Sequence, residues 1–259
     1  MTDYQHRFGG IERLYGRQGA NIIKHSHICV IGIGGVGSWV AESLARTGFN
    51  EITLVDLDDI CTTNINRQIH ALTDTVGESK VEAMTSRINQ INPECTVNQV
   101  EDFVTEENIP ELITSQFDYV VDAIDSVRVK SALIAHCKRQ KIKIITIGGA
   151  GGQTNPSKIG ISDLSQTYQD PLLAKVRNQL RREFNFSRNT KRKFSIDAVF
   201  STEQLVYPDA EGNVCHAKQS DQGAVRLDCN GGFGAATHIT ATFGFFAVGR
   251  LIEKLLKNK

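Results

Sequence analysis

The stretch Gly32-Ile33-Gly34-Gly35-Val36-Gly37 constrains this chain more than any other. It closes an apolar, β-branched run at residues 27–33 and opens an amphipathic stretch at 36–47. A second apolar run, residues 51–56, ends on Asp56. Strand, glycine turn, helix and strand in that order make a βαβ unit, which calls for a parallel sheet and a right-handed crossover. Glycines at such a turn let backbone amides approach phosphates, and the helix N-terminus adds a favourable dipole. Asp56 is placed to hydrogen-bond a ribose hydroxyl. A merely tight turn would also use glycines, but it would not need the acid. The unit predicts a nucleotide site and leaves NAD and ATP both open.

The same rhythm continues downstream. Helix-like stretches at 77–91, 105–115 and 126–140 lead to strand-like runs at 95–100, 117–123 and 143–149. This alternation predicts an α/β fold with a doubly wound, Rossmann-like parallel sheet. After the glycine cluster at 148–152 the pattern changes, with strands expected at 158–163 and 194–207. A helix is expected at 172–184, with Leu173, Val176, Leu180 and Phe184 on one stripe. No linker or internal repeat interrupts the chain. Residues 1–259 therefore read as a single unit: a nucleotide-binding half at 1–150 and an elaborated C-terminal half at 151–259.

Composition sets outer limits. With 29 Lys plus Arg against 29 Asp plus Glu, the net charge is zero, which excludes a uniformly basic coat for nucleic acid. The six cysteines lie at least 14 residues apart, so there is no C-x-x-C pair and no zinc site is expected. Reduced thiols and an N-terminus without an apolar segment predict a cytoplasmic protein. Residues 229–249 carry no Asp, Glu, Lys or Arg, but glycines, threonines, Asn230 and His238 dilute them. A buried or dimer-contact helix is expected there, rather than a membrane association through 233–249.

The residues that separate ATP from NAD lie beyond Asp56. Asn64, Arg67 and Gln68 follow it closely, Lys80 begins the next helix, and Asp125 follows the run FDYVVDA. A triphosphate needs Arg and Lys on its outer phosphates and a carboxylate for Mg2+, whereas a dinucleotide needs no second cluster of cations. The set favours ATP.

GIGGVGS, LVDLDDI, NINRQ, GESK and DAIDS occur in that order over residues 7 to about 150. In these motifs the chain resembles the adenylating enzymes that include the ubiquitin-activating enzyme and the bacterial activators of molybdopterin- and thiamin-pathway sulfur carriers. The resemblance implies the following roles. Gly32, Gly34, Gly35 and Gly37 cradle ATP, with Asp56 on the ribose. Asn64, Arg67, Gln68 and Lys80 surround the phosphates, and Asp125 holds Mg2+. Arg17, in R-L-Y-G-R-Q, reaches the phosphates of a partner subunit in a homodimer. The carrier activators usually have two C-x-x-C pairs, and this chain has none.

The C-terminal half sharpens the resemblance. GGAGGQTNPSKIGISDLSQTYQDPLLAKVR, VFSTEQLVYP and RLDCNGGFGAATHITATFGFFAV look like the bacterial tRNA threonylcarbamoyladenosine dehydratases. That family implies ATP-dependent cyclisation of the threonylcarbamoyl side chain on the adenosine beside the anticodon. It also implies contact with cysteine-desulfurase and sulfur-acceptor proteins. The charge pattern agrees. Lys175, Arg177, Arg181, Arg182, Arg188, Lys191, Arg192 and Lys193, with Glu183 as the one acid, give residues 172–193 a net +7. Such a cluster in an otherwise acidic chain is the footprint of a phosphate backbone, and these eight residues are the expected tRNA contacts.

Cys229 stays ambiguous between a persulfide or thioester acceptor and a packed thiol. His136, His216 and His238 have no ligand-like spacing. The glycine turns at 148–152 and 230–234 are a candidate site for a monovalent cation, Na+ or K+. An activator of a ubiquitin-like carrier, a sulfur-relay adaptor and an NAD-dependent dehydrogenase remain the competing readings.

Overall fold

A parallel strand covered by helices on both faces must be apolar along its whole length, because neither row of side chains meets water. β1 (His27–Ile31) satisfies this, with every residue after His27 buried. Its neighbours β2 (Glu51–Val55) and β4 (Tyr119–Asp122) are nearly as apolar. The computed structural model describes residues 2–209, 211–216 and 233–257. Seven strands form one sheet in the order β3-β2-β1-β4-β5-β7-β6, where β3 is Thr96–Val100, β5 Ile144–Ile147, β6 Ile159–Asp163 and β7 Asp197–Ser201. All pairings are parallel except that of edge strand β6 with β7, registered Ile161 to Val199.

The chain runs outward from β1 to β3, returns to β4 and then runs outward on the other side. The order therefore reverses between β1 and β4, the switch point where open α/β sheets bind ligands beyond the strands' carboxyl ends. Alternate strand residues face opposite layers. Ile28, Val30, Ile52, Leu54 and Val121 join one core beneath α2 (Gly37–Thr47), α3 (Lys80–Ile91) and α7 (Thr237–Lys257). Cys29, Ile31, Val55 and Val120 join the other, beneath α4 (Ile109–Leu112), α5 (Val127–Gln140) and α6 (Pro171–Glu183). A short hairpin, β8 (Tyr207–Pro208) with β9 (Val214–Cys215), lies outside the main sheet.

Three elements depart from expectation. The long helix α1 (Asp3–Lys24) is unannounced by periodicity, because four glycines interrupt it. Gly16 breaks its regularity at φ 73°. Residues 105–115 form only the short α4, since Thr105 and Asn108 bond each other's backbone N–H through their side chains and compete with helical pairing. Apart from Tyr207, which opens β8, the strand expected over 194–207 shrinks to β7. Ser195 has φ 57° before it, and Ser201 accepts the Glu203 N–H after it.

The apolar stretch after Gly234 is α7, which packs on α2. A Cβ at Gly244 would lie 3.1 Å from Trp39 Cβ, Val36 O and Val40 N, so only glycine permits this approach. Ten residues of α7 are buried, and no described helix is long and apolar enough to cross a membrane. Phe245 and Phe246 remain exposed.

Candidate nucleotide and RNA site

The glycine turn is folded too tightly for a side chain at its two ends, Gly32 and Gly37. Gly32 has φ 86°, and a Cβ there would press within 3.0 Å of the Ala123 carbonyl at the exit of β4. A Cβ on Gly37 would lie 1.8 Å from the Gly32 carbonyl. Asp56 stitches the turn to β2: its carboxylate accepts N–H from Ile33 at 2.6 Å and from Asp58 at 2.9 Å. The N-terminus of α2 thus faces the switch point with no side-chain cap. The positive dipole end of the helix suits a phosphate.

The candidate cations converge on this turn. Lys80, almost fully buried at the start of α3, donates to Asp58 at 2.6 Å and lies 3.9 Å from Asp56. The aliphatic part of Arg67 runs beside Gly35, where a Cβ would meet its Cγ and Cδ at 3.4 Å. Its guanidinium donates to Thr63 O and Asn66 Oδ1. Gln68 is buried beside Gly34 with its Oε1 unpartnered among the described residues. Asn64 is buried as well, and its Oδ1 accepts the Cys61 N–H. The loop is gripped by α2 and α7: Trp39 Nε1 and Thr240 Oγ1 donate to Arg67 O, and Thr237 Oγ1 donates to Asn66 O.

Asp122 and Asp125 leave β4 with opposite fates. Asp122 is fully buried against Lys130, whose Nζ lies 2.9 Å from Oδ1 and also donates to the Asp122 carbonyl. Oδ1 accepts the Ile124 N–H and Oδ2 accepts the Thr146 hydroxyl. Asp125 is exposed at the sheet's edge and, among the described residues, makes no hydrogen bond or ion pair. Of the two, Asp125 is the carboxylate with lone pairs to offer a cation.

The basic segment lies along α6 and the irregular chain after it. Lys175, Arg182, Arg188, Lys191, Arg192 and Lys193 are exposed. Arg177 and Arg181 are half-buried: Arg177 donates to the Thr167 hydroxyl, and Arg181 stacks 5.3 Å above the Phe194 ring. Arg17 stands in solvent and pairs with Glu12 at 3.3 Å, so within one chain it does not join the cleft. Cys229 and positions 230–232 of the second glycine turn lie outside the described residues. Burial pushes the Cys29, Cys95 and Cys137 thiols up, the last two to about 12, which makes them poor nucleophiles. His136, His216 and His238 each bond a backbone carbonyl.

Sequence reasoning passed over Lys130, Asp122, Asp170 and His70. Asp170 caps α6 through the Leu173 N–H and also accepts the Gly149 N–H. The signal was available, since Asp170 precedes Pro171 at a helix start. Nothing in the spacing of Lys130 says that it turns inward. His70 is buried with neither ring nitrogen partnered among the described residues.

A model described as the ThiF family matches residues 10–258. The tRNA threonylcarbamoyladenosine dehydratase of Haemophilus influenzae is 58% identical over 260 residues, covering 100% of this chain and 97% of the relative. The Escherichia coli protein of that name is 55% identical over 253 residues, covering 98% and 94%. A crystal structure of the Escherichia coli tRNA N6-threonylcarbamoyladenosine dehydratase in complex with ATP has a TM-score of 0.88 and 51% identity. It covers 99% of this chain and 97% of that one.

Two outcomes follow from the buried charges. Lys130→Met strands the Asp122 carboxylate and should cost about 3–5 kcal/mol in urea unfolding, while Lys130→Met with Asp122→Asn should recover most of it. A double variant no more stable than Lys130→Met would show that the stranded carboxylate is not what that variant loses. Burial first, then Lys80 and Arg87, push the His70 pKa down to about 4. The unfolded ring has its pKa near 6.5, so the neutral-ring stability is complete above that pH and drains away as pH falls toward 4. Between pH 7.5 and 5 this residue should remove about 2 kcal/mol, and a His70→Leu variant should lose that much less.

Proposed function

The chain belongs to the ThiF family, and on that premise we propose that it is an ATP-dependent tRNA-modifying enzyme. Its reaction is the dehydration of N6-threonylcarbamoyladenosine to a cyclised form. One juxtaposition carries this reading: a phosphate-receiving glycine turn at the switch point shares a chain with the net +7 segment at residues 172–193. Relatives of that name at 55–58% identity over nearly the whole length support it.

In this reading the threonyl carboxylate attacks the α-phosphate of ATP, forming an acyl-adenylate and releasing pyrophosphate. Gly32, Gly34, Gly35 and Gly37 leave room for the phosphates, Asp56 faces the ribose, and Asn64, Arg67, Gln68 and Lys80 line the phosphate side. Their dipoles and charges offset what develops on the leaving pyrophosphate. The residues present suit Mg2+, which keeps several waters and takes one or two carboxylates plus phosphates. Asp125 is the ligand the protein would offer, and the ion would withdraw charge from the phosphates. Lys80 emerges from between Asp56 and Asp58, so a bound polyphosphate competes with two carboxylates for it.

The adenylate makes the carboxyl carbon electrophilic. A carbamoyl atom of the same side chain closes the ring and expels AMP. The nucleophile is tethered to the electrophile, so proximity supplies much of the second step and no protein nucleophile is required.

We read the working form as a cytoplasmic homodimer in which residues 1–259 act as one unit and Arg17 completes the partner's cleft. The eight cations of 172–193 hold tRNA. The carbonyl-rich turn at 148–152 is where Na+ or K+ would sit. Cysteine-desulfurase and sulfur-acceptor proteins are the expected protein partners.

The first test is mass spectrometry of nucleosides from threonylcarbamoylated tRNA treated with the protein, with and without ATP and Mg2+, digested mildly. Loss of one water only with ATP is expected, and Asp125→Ala should abolish it while keeping tRNA affinity. No change on active substrate would overturn the reading and favour a carrier activator. The shared site has its own check. Arg17→Ala mixed with Asp125→Ala should recover about a quarter of wild-type turnover, because half the dimers are mixed and each has one intact site. Absence of recovery would place Arg17 outside the partner's cleft.

A further inference from the structure

The reaction reaches a base that is normally stacked in the anticodon loop, and enzymes working on a base take it out of the stack into a pocket. We propose that the cleft between the start of α6 and the Leu205–Tyr207 segment is the pocket for the modified nucleoside. This rests on the functional reading above and adds the place where the substrate's base is held.

The cleft has a volume of about 370 Å3 and is lined by Gln169, Asp170, Arg177, Gln204, Tyr207 and His216, among others. That set offers what a purine nucleotide uses: an aromatic face, two amides able to read a base edge, and a guanidinium. Tyr207 is braced by Phe233, ring centroids 5.0 Å apart, and is therefore ready to stack. Gln169 has φ 58°, a conformation that residues other than glycine seldom adopt, at the turn immediately before the α6 cap. Asp170 does not poison the site for an anion. Both its oxygens are committed to backbone N–H groups, and burial pushes its carboxyl up.

Arg177 supplies the link to the backbone of the RNA. Among the described residues no carboxylate pairs with it, and its one side-chain partner is the Thr167 hydroxyl. Arg181 lies one turn further along α6, about 6 Å in rise. The row of cations on α6 therefore runs into the cleft at Arg177, which faces the phosphate beside the lifted nucleotide.

The cleft is also in the right place. Asp170 bonds Gly149, just past β5, so the cleft opens at the carboxyl edge of β5, one strand from β4 and Asp125. Adjacent strands lie about 5 Å apart. The four bonds from N6 of the base to the threonyl carboxyl carbon reach about 5 Å when extended. A base seated at β5 thus carries its carboxylate over β4, toward the phosphates at the switch point. The larger cavity, about 550 Å3 beside Asp163 and Asp197, lacks this chemistry. There Arg250 donates twice to Asp197, so its charge is already answered.

The test compares binding of two anticodon stem-loops, one with threonylcarbamoyladenosine and one with plain adenosine, to the full-length protein. The wild type should prefer the modified loop. Tyr207→Leu and Arg177→Ala should each weaken binding of the modified loop about tenfold and raise KM for modified tRNA, leaving ATP binding unchanged. Tyr207→Phe keeps the ring and should retain the affinity. If the wild type converts modified tRNA while Tyr207→Leu and Arg177→Ala keep its affinity and KM, the pocket assignment is overturned alone. If the wild type does not convert modified tRNA at all, the functional reading falls, and the pocket with it.

Discussion

Beneath the cleft lies an ion pair with no access to water. Lys130 and Asp122 are both fully buried, and the aspartate also accepts the Ile124 N–H and the Thr146 hydroxyl. Such a pair contributes little net stability, because desolvating two charges offsets most of their attraction. Its consequence here is geometric. Asp122 is the last residue of β4, so its donors pin the strand's exit, the Thr146 neighbour on β5 and the turn leading to Asp125 at once. The Gly32 turn closes against the same exit, at the Ala123 carbonyl. The spacing of the glycine turn and the Asp125 loop depends on where that one carboxylate is held.

The parts of this arrangement that were legible in the sequence are those whose physics is local. The glycine turn, the βαβ rhythm and the amphipathic stripe of α6 are written within short windows of sequence, and the structure places them within a few residues of where they read. Asp56, Lys80 and Asp125 were legible because strand ends and helix starts have predictable positions. Their division of labour was not. Only the fold shows that Asp56 holds the glycine turn, that Lys80 is shared by two carboxylates, and that Asp125 is the uncommitted one of the β4 pair. Lys130 reads as one more surface lysine until α5 packs on β4. His70 reads as a loop residue until it is enclosed beside Lys80 and Arg87. α1 was hidden for a different reason: its glycines lower its helical signal, and its stability comes from contact, as where Gly19 lets it approach Leu256 of α7.

The basic segment shows how net charge misleads when averaged. A chain with zero net charge presents a +7 stretch, and the fold orders it by depth: Arg177 and Arg181 are partly buried, while the cations after them stand in solvent. Exposed cations supply affinity that salt weakens, whereas partly buried ones are positioned and less screened. The two half-buried arginines are thus held in place by their packing, whereas the exposed cations are not.

The hold that α7 takes on the Asn66–Arg67 backbone bears on how the protein is made. Thr237 and Thr240 bind carbonyls of a loop synthesised 171 and 173 residues earlier. β7, which sits between β5 and β6, is also translated late. Chains emerge from the N-terminus first. The glycine turn can therefore form early, but its cation-bearing flank is braced only when α7 leaves the ribosome and docks. A nascent chain without α7 has half a cleft, and the docking of α7 completes it.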